Sequence, residues 1–431
     1  MKEFIYLVFV WWFFIPSTAH AYLDPGSGNA LIYMALSFFG AIIFSLKGIF
    51  YRFIGKKNLL EDEQALKENQ HNIVIFSEGK MYWNTFRPIV EALLKKNVVF
   101  SYYTMDIYDP CLKIDSPNMN NCYIGNGTRA FAKISKLKAD VVLSTTPNIG
   151  TEGYPILRSN SIKKLVHVFH SFGDLSVYHY GSLDHYDAVM LVGEFEKPII
   201  RKLENLRGLP PKELYEAGLP YLDVLEEQKN STQKQIEKIS DKKTILIAPS
   251  WGVKGCLYQY GSKFISLLAQ ADFNIIIRPH PHSLKVEPDL LEKTKNELSS
   301  FKNIEWDLEI NGLPSMQRAD ILISDTSSVR IDFLFLYQKP IITLEMPLED
   351  MSEFEMADLG ESWTEEALKK LGCNVRKDQI EELPTIVNEI LATKTSEEIA
   401  AFREKNVYNR NHSGEIIANY LIEEGQRIKL Q

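Results

Sequence analysis

Five small polar residues in a row, Ser324-Asp325-Thr326-Ser327-Ser328, stand between the apolar run DILI and the helical pattern VRIDFLFLY. Read as strand, turn and helix, this order gathers side-chain oxygens and backbone N–H groups at a helix N-terminus, whose partial positive charge attracts anions. One hydroxyl would suffice to cap the helix. Five polar residues exceed that need, so the stretch Ile321 to Leu336 reads as a phosphate cradle. Asp332, further into the helix, would orient a bound group or one of the serines. A second candidate, Arg278-Pro279-His280-Pro281-His282, follows the apolar run NIII. Its two prolines fix φ and stiffen the loop. Arg278 and His280 could then neutralise a diphosphate and a departing phosphate. Third comes HVFHSFGD, His167 to Asp174, where His170 falls at the end of a strand pattern. A neutral imidazole there could take a proton from an attacking hydroxyl. His167 would face the other side of the strand and is read as structural.

Elements that could hold these loops alternate along the chain. Strand patterns NIVIFSE, VVFSYYT, DVVLSTT, LVHVFH and AVMLVG fill the first half, with helix patterns from Thr85 to Lys96 and from Arg129 to Lys138. TILIAPS, NIIIRPH, DILISDT and PIITLE fill the second, and helical patterns close the chain. Such alternation indicates parallel βαβ architecture. The expected class is therefore α/β, two Rossmann-like domains with a ligand cleft between them. The expected boundaries are 71–225 for the first, acceptor-side domain, 226–243 for a charged linker, and 244–431 for the second domain with its closing helices. Ligands of open parallel sheets bind beyond the carboxyl ends of the strands, where all three candidate loops fall. GNGTRAF, Gly125 to Phe131, follows none of these strand patterns and lacks GxGxxG, so it reads as a weak phosphate-loop signal. The residues His167, His170, His179, His185, Asp184 and Asp187 have no tight metal-ligand spacing, so no metal is expected.

With a net charge of −8 over 431 residues, the chain is not suited to sequence-independent nucleic-acid binding. Its four cysteines form no CxxC, which suits free thiols in a reducing compartment. At the N-terminus, FIYLVFVWWFFI ends at Pro16, and Ala19-His20-Ala21 offers a small-x-small cleavage pattern. Residues 1–21 therefore read as a signal peptide or first apolar segment. Residues 22–57 read as a transmembrane anchor with a basic flank, Lys47, Arg52, Lys56 and Lys57, and 58–70 as a linker. The basic flank implies that everything after it faces the cytoplasm, at the inner membrane.

Taken together, these segments resemble the CDP-glycerol glycerophosphotransferase family. HSFGD at His170 stands where that family has a His-Gly-Thr turn with the presumed base, and Ser171 and Phe172 replace the Gly-Thr. GLPYLD, Gly218 to Asp223, resembles its Gly-Tyr-Pro-Arg-x-Asp turn, with Tyr221-Leu222 as the departure. ILIAPSWG resembles its strand ending in Ala-Pro-Thr-Trp, which adds Pro249 and Ser250 to the substrate-binding candidates. RPHP and SDTSSVRIDF resemble its donor-phosphate loops. The resemblance, over about residues 140–345, implies a GT-B fold. It also implies transfer of glycerol phosphate from CDP-glycerol, without a further cofactor, to a glycan, polymer or lipid-linked acceptor of teichoic-acid type. Two other functions satisfy the same diphosphate cradle. One is a glycosyltransferase or epimerase using a UDP-sugar, and the other a non-catalytic, membrane-tethered nucleotide binder.

Overall fold

The computed structural model describes residues 71–232, 242–309, 311–347 and 350–431. The apolar segments and linker expected within 1–70 lie outside these residues, as does half of the expected linker at 226–243. Among the described residues, no helix is long and apolar enough to cross a membrane.

Two parallel sheets form the frame. The first contains β1 (His71–Ser77), β2 (Phe100–Thr104), β3 (Met119–Tyr123), β4 (Ala139–Ser144), β5 (Ile162–Val168), β6 (Ala188–Leu191) and β7 (Glu213–Glu216). Their order is β3-β2-β1-β4-β5-β6-β7. The second contains β8 (Thr244–Ile247), β9 (Asn274–Ile277), β10 (Ile304–Trp306), β11 (Ile321–Ser324), β12 (Ile341–Leu344) and β13 (Cys373–Val375), in the order β10-β9-β8-β11-β12-β13. Every strand pair is parallel, and in both sheets the order reverses beside the first strand. That reversal, between β1 and β4 and again between β8 and β11, opens a crevice at the carboxyl ends.

The inner strands are apolar on both faces because helices cover both faces. Ile73, Ile75, Val141, Leu143, Val166 and Val168 build one core; Ile245, Ile247, Ile275, Ile277, Ile321 and Ile323 build the other. The helix Trp83–Lys95 buries Phe86, Ile89, Val90 and Leu93 at helical spacing against the first core.

Three expectations change. The charged linker expected from Glu226 begins inside a helix, Pro220–Thr232, whose Leu222, Val224 and Leu225 are buried. GNGTRAF does follow a strand, since β3 ends at Tyr123 and a helix starts at Gly127. Most consequentially, the last helix, Ser413–Lys429, leaves the second domain and packs on the first. Its Ile417, Tyr420, Leu421 and Ile428 complete the first core, and Glu424 pairs with Lys164 at 2.6 Å. Gly414 permits this approach: a Cβ there would stand 2.4 Å from Pro88 Cβ. The GLPYLD turn anchors the return, with Asp223 accepting from the N–H groups of Asn411 and Ser413 at 2.7 and 2.9 Å.

Candidate active site

In the second domain, the serine-rich turn divides into residues facing inward and residues facing outward. Ser324 and Asp325 are fully buried. The Ser324 hydroxyl donates to the Ala248 carbonyl at 2.5 Å. The Asp325 carboxylate accepts from the N–H groups of Ser250 (3.0 Å), Cys256 (2.7 Å) and Ser327 (3.2 Å). These two residues, expected to touch phosphate, instead lash the turn after β11 to the loop after β8. A short buried carboxylate beside three backbone donors is satisfied internally. Thr326 and Ser328 are the exposed members, and Ser327 is half-buried. They sit at the start of the helix Val329–Tyr337, where the N-cap Ser328 makes no side-chain cap bond and the Ser327 hydroxyl accepts from the Val329 N–H at 3.5 Å. An anion there would meet the helix dipole and two hydroxyls.

The loops after β8 and β9 meet beside this turn. Arg278 pairs with Asp307 at 2.7 Å, and Asp307 also accepts from the Ser315 hydroxyl at 2.6 Å. Burial alone would raise the Asp307 carboxyl, but the Ser315 hydroxyl, the Glu309 N–H and Arg278 together hold it below its ordinary value. Arg278 is thus a braced cation, resting against Gly312, where a Cβ would stand 2.7 Å from its Nε. His280 Nδ1 accepts from the His282 N–H at 3.1 Å, so its proton, when the ring is neutral, lies on Nε2. The two imidazoles stack at 5.8 Å, and Trp251 lies 5.1 Å from His282 and 6.5 Å from His280. Burial, then the neighbouring His282, pushes the His280 imidazole below its usual range, while the nearby Asp325 charge pulls it back. His280 is therefore an Nε2–H donor near neutral pH rather than the imidazolium expected from sequence. Pro249 and Ser250 frame this loop, the Ser250 N–H being engaged by Asp325.

In the first domain, His170 follows β5 and turns toward the helix that follows β1. Its ring meets Tyr82 edge-on at 5.0 Å, and its Nδ1 is buried without a partner. Burial pushes its imidazole below the usual value, so it is a neutral base at physiological pH. His167 is fully buried among Phe169, Tyr178 and Tyr186, as its structural reading requires. The residues after His170 stitch the domains together. The Asp174 carboxylate accepts from the Thr364 N–H (2.6 Å) and the Ser362 hydroxyl (2.9 Å), capping the helix Trp363–Leu371 of the second domain. Phe172 packs 4.5 Å from Phe335 of the second domain and beside Phe195 of the first. Replacing a Gly-Thr by Ser171-Phe172 thus supplies an interdomain contact.

A cleft of about 120 Å³ lies at this seam, lined by Ser171, Asp174, Thr326, Ser328, Arg330 and Glu365 among others. It brings the loop after His170 face to face with the exposed hydroxyls at the helix start. Arg330, which the sequence reading passed over as a helix residue, lines it and pairs with Glu365 through both guanidinium nitrogens, at 2.6 and 3.0 Å. Asp332 lies apart from this cleft's lining and accepts from Tyr221 of the first domain at 3.2 Å. Its carboxyl, pushed up to about 7 by burial, serves the seam rather than a serine. A larger cavity, about 500 Å³, lies between the helix Trp83–Lys95 and the return of the last helix. Its charged groups pair with one another, as in Arg87 with Glu227 and Lys96 with Glu415 at 3.2 Å, and no strand ends there. Among the described residues, no group of His, Cys, Asp and Glu is arranged to hold a metal ion.

The family model of CDP-Glycerol:Poly(glycerophosphate) glycerophosphotransferase matches residues 180–358. That span, somewhat less than half of the chain, is similar to this family. The chain is a CDP-glycerol glycerophosphotransferase-like transferase. The match contains the β8, β9 and β11 loops, whereas His170 precedes it. No curated protein sequence matches the chain. Among solved structures, a histidine-to-asparagine variant of the wall teichoic acid polymerase TagF with CDPG aligns with a TM-score of 0.52 at 16% identity, covering 90% of this chain and 98% of that one. The UDP-GlcNAc 2-epimerase of Methanocaldococcus jannaschii, in complex with UDP-GlcNAc and UDP, aligns at 0.52 and 17% identity, covering 81% and 99%. That of Neisseria meningitidis, bound to UDP-GlcNAc, aligns at 0.53 and 14%, covering 82% and 99%. At these identities the likeness is one of fold. The described domains form a GT-B-like pair.

Proposed function

We propose that the chain transfers glycerol phosphate, or a related alditol phosphate, from a CDP-activated donor to a hydroxyl of a membrane-associated glycan or polymer, releasing CMP. The observation that carries this reading is the seam cleft, where the loop after His170 faces Thr326 and Ser328 at a helix N-terminus, within a chain similar to this family. In the reaction the acceptor oxygen attacks the phosphorus attached to glycerol, and the bond from that phosphorus to the CMP oxygen breaks. His170 takes the hydroxyl proton. Thr326, Ser328 and the helix dipole hold the diphosphate, and Nε2–H of His280 donates to the departing phosphate, with Arg278 adding positive charge. Electrostatic stabilisation of the leaving group and a positioned base together meet the demands of phosphoryl transfer.

The test is nucleotide release from the purified full-length protein supplied with CDP-glycerol, CDP-ribitol or UDP-GlcNAc and membrane acceptors. CMP release supports the proposal. UDP release, or epimerisation of UDP-GlcNAc, supports the second reading, which the fold shared with UDP-GlcNAc 2-epimerases favours. Tight CDP binding with no turnover supports a nucleotide sensor. We further propose that the apolar segments within residues 1–57 hold the chain at the cytoplasmic face of the inner membrane, close to a lipid-linked acceptor. Digestion of the folded domains by protease added outside intact spheroplasts would refute that placement.

A further inference from the structure

A second group of polar side chains lies at the crevice of the first sheet, and the reaction described above leaves it unused. Glu78 directly follows β1, the strand at which the strand order reverses. Across the reversal, β4 leads into Thr145 and Thr146, which are 1% and 0% exposed. The Thr145 hydroxyl has no hydrogen-bond partner, and the Thr146 hydroxyl has none besides the Glu78 carboxylate beside it. Buried hydroxyls are nearly always bonded, and leaving one unmade is costly. An unmade hydroxyl at a sheet crevice, beside a threonine and a carboxylate that bond only each other, suits a place that a ligand completes. Thr146 lies beside the Glu78 carboxylate, close enough to favour its ionised form, although burial dominates and lifts that carboxyl above its ordinary range. The Glu78 charge in turn raises the phenols of Tyr82 and Tyr154, after burial has raised them further. Tyr82 is the ring that His170 meets edge-on, and the buried Nδ1 of His170 is likewise unpartnered. Glu78, Thr145, Thr146 and His170 thus surround one corner of the acceptor domain.

We propose that Glu78, Thr145 and Thr146 form a polyol subsite, binding a hydroxyl of the acceptor next to the one that reacts at His170. The inference rests on the transferase reading and deepens it by naming the residues of this chain that would bond the acceptor's second hydroxyl. A carboxylate can accept from two hydroxyls at once, and each threonine can donate or accept. A site built to bond a substrate hydroxyl discriminates strongly against an analogue lacking it, because its own buried groups are then left unpaired. Glu78 forms and breaks no covalent bond in this role.

The experiment compares two soluble acceptors, glycerol 3-phosphate and 3-hydroxypropyl phosphate, with CDP-glycerol as donor and the full-length protein. Both acceptors keep a terminal hydroxyl, and only the first has a neighbouring one. The wild type is expected to favour glycerol 3-phosphate by about tenfold or more in kcat/KM, the worth of a hydrogen bond to a charged group. Glu78→Gln, nearly isosteric, is expected to erase most of that ratio through the KM of glycerol 3-phosphate, and Thr146→Val to reduce it. A wild type without the preference, or a Glu78→Gln variant that keeps it, overturns the subsite. If no CMP is released from CDP-glycerol, the transferase reading fails separately. Titration calorimetry with glycerol 3-phosphate alone then decides the subsite. Wild-type binding weakened tenfold by Glu78→Gln upholds it, and equal or absent binding overturns it.

Discussion

Asp325 tests whether the serine-rich turn acts by contact with the donor or by holding its own shape. Its carboxylate is fully buried and satisfies three backbone donors, at Ser250, Cys256 and Ser327. Replacement by alanine removes the acceptor and leaves those N–H groups facing an apolar hole. A buried donor left unmade costs about 1–3 kcal/mol. Partial entry of water reduces the sum, so Asp325→Ala should lose about 3–5 kcal/mol, among the larger effects of single substitutions. Asp325→Asn keeps one oxygen but turns an NH2 toward a backbone donor, and should lose about 2 kcal/mol. For a domain of this size each kcal/mol lowers Tm by roughly 2–4 °C, so alanine should lower it by about 10 °C. Thermal melts of both variants, with CDP-glycerol affinity measured below the transition, read the two quantities apart. The structure requires a large loss of stability in the order alanine, asparagine, wild type. Wild-type melting in both variants, together with a collapse of donor affinity, would refute the inward placement of Asp325 and restore it to the phosphate cradle.

His170→Ala should lower transfer by about 10²–10⁴, the usual worth of a positioned base, while leaving CDP-glycerol affinity near wild type. Because burial depresses this imidazole, the acid limb of the kcat/KM profile should fall below the ordinary histidine value of about 6.5. A limb well above that value would point to another base. Asp332 gives a pH signature of stability. Its folded pKa of about 7 lies above the unfolded value, so the folded state binds the extra proton between the two. Stability should therefore decline as pH rises from about 4 through about 7, then level off. Asp332→Asn should flatten this slope and gain about 2–4 kcal/mol above pH 7, an upper range set by linkage. Denaturant melts from pH 4 to pH 8 check it, and an unchanged slope in the variant would place the titrating group elsewhere.

How much of this could be read from the sequence follows from what each residue meets. Inner strands such as NIII and DILI are covered on both faces, so their apolar runs announce them. The edge strands MNNCY, ELYE, IEW and CNV are short and polar, because an edge faces water and backs onto fewer neighbours. The places where chemistry gathers were legible for the same reason as the inner strands. A polar turn after a buried strand stands out, and topology sends such turns to the crevice. Direction was not legible. In SDTSS, five consecutive residues of one chemical kind divide between the interior and the cleft, and only the three donors converging on Asp325 decide which is which. Arg330 shows the converse, since a position inside a helix pattern gave no sign of the cleft it lines. The return of the last helix was also hidden. Its apolar stripe would fit any core, and what selects the first is a pair of local permissions, the bare Gly414 against Pro88 and the Asp223 cap. That return has a mechanical consequence. Among the described residues, the first strand, His71–Ser77, and the last helix, Ser413–Lys429, belong to the first domain, and Val407 to His412 crosses back to it from the second. That return, with the Asp174 cap, constrains how the seam cleft widens to admit a donor larger than its present volume.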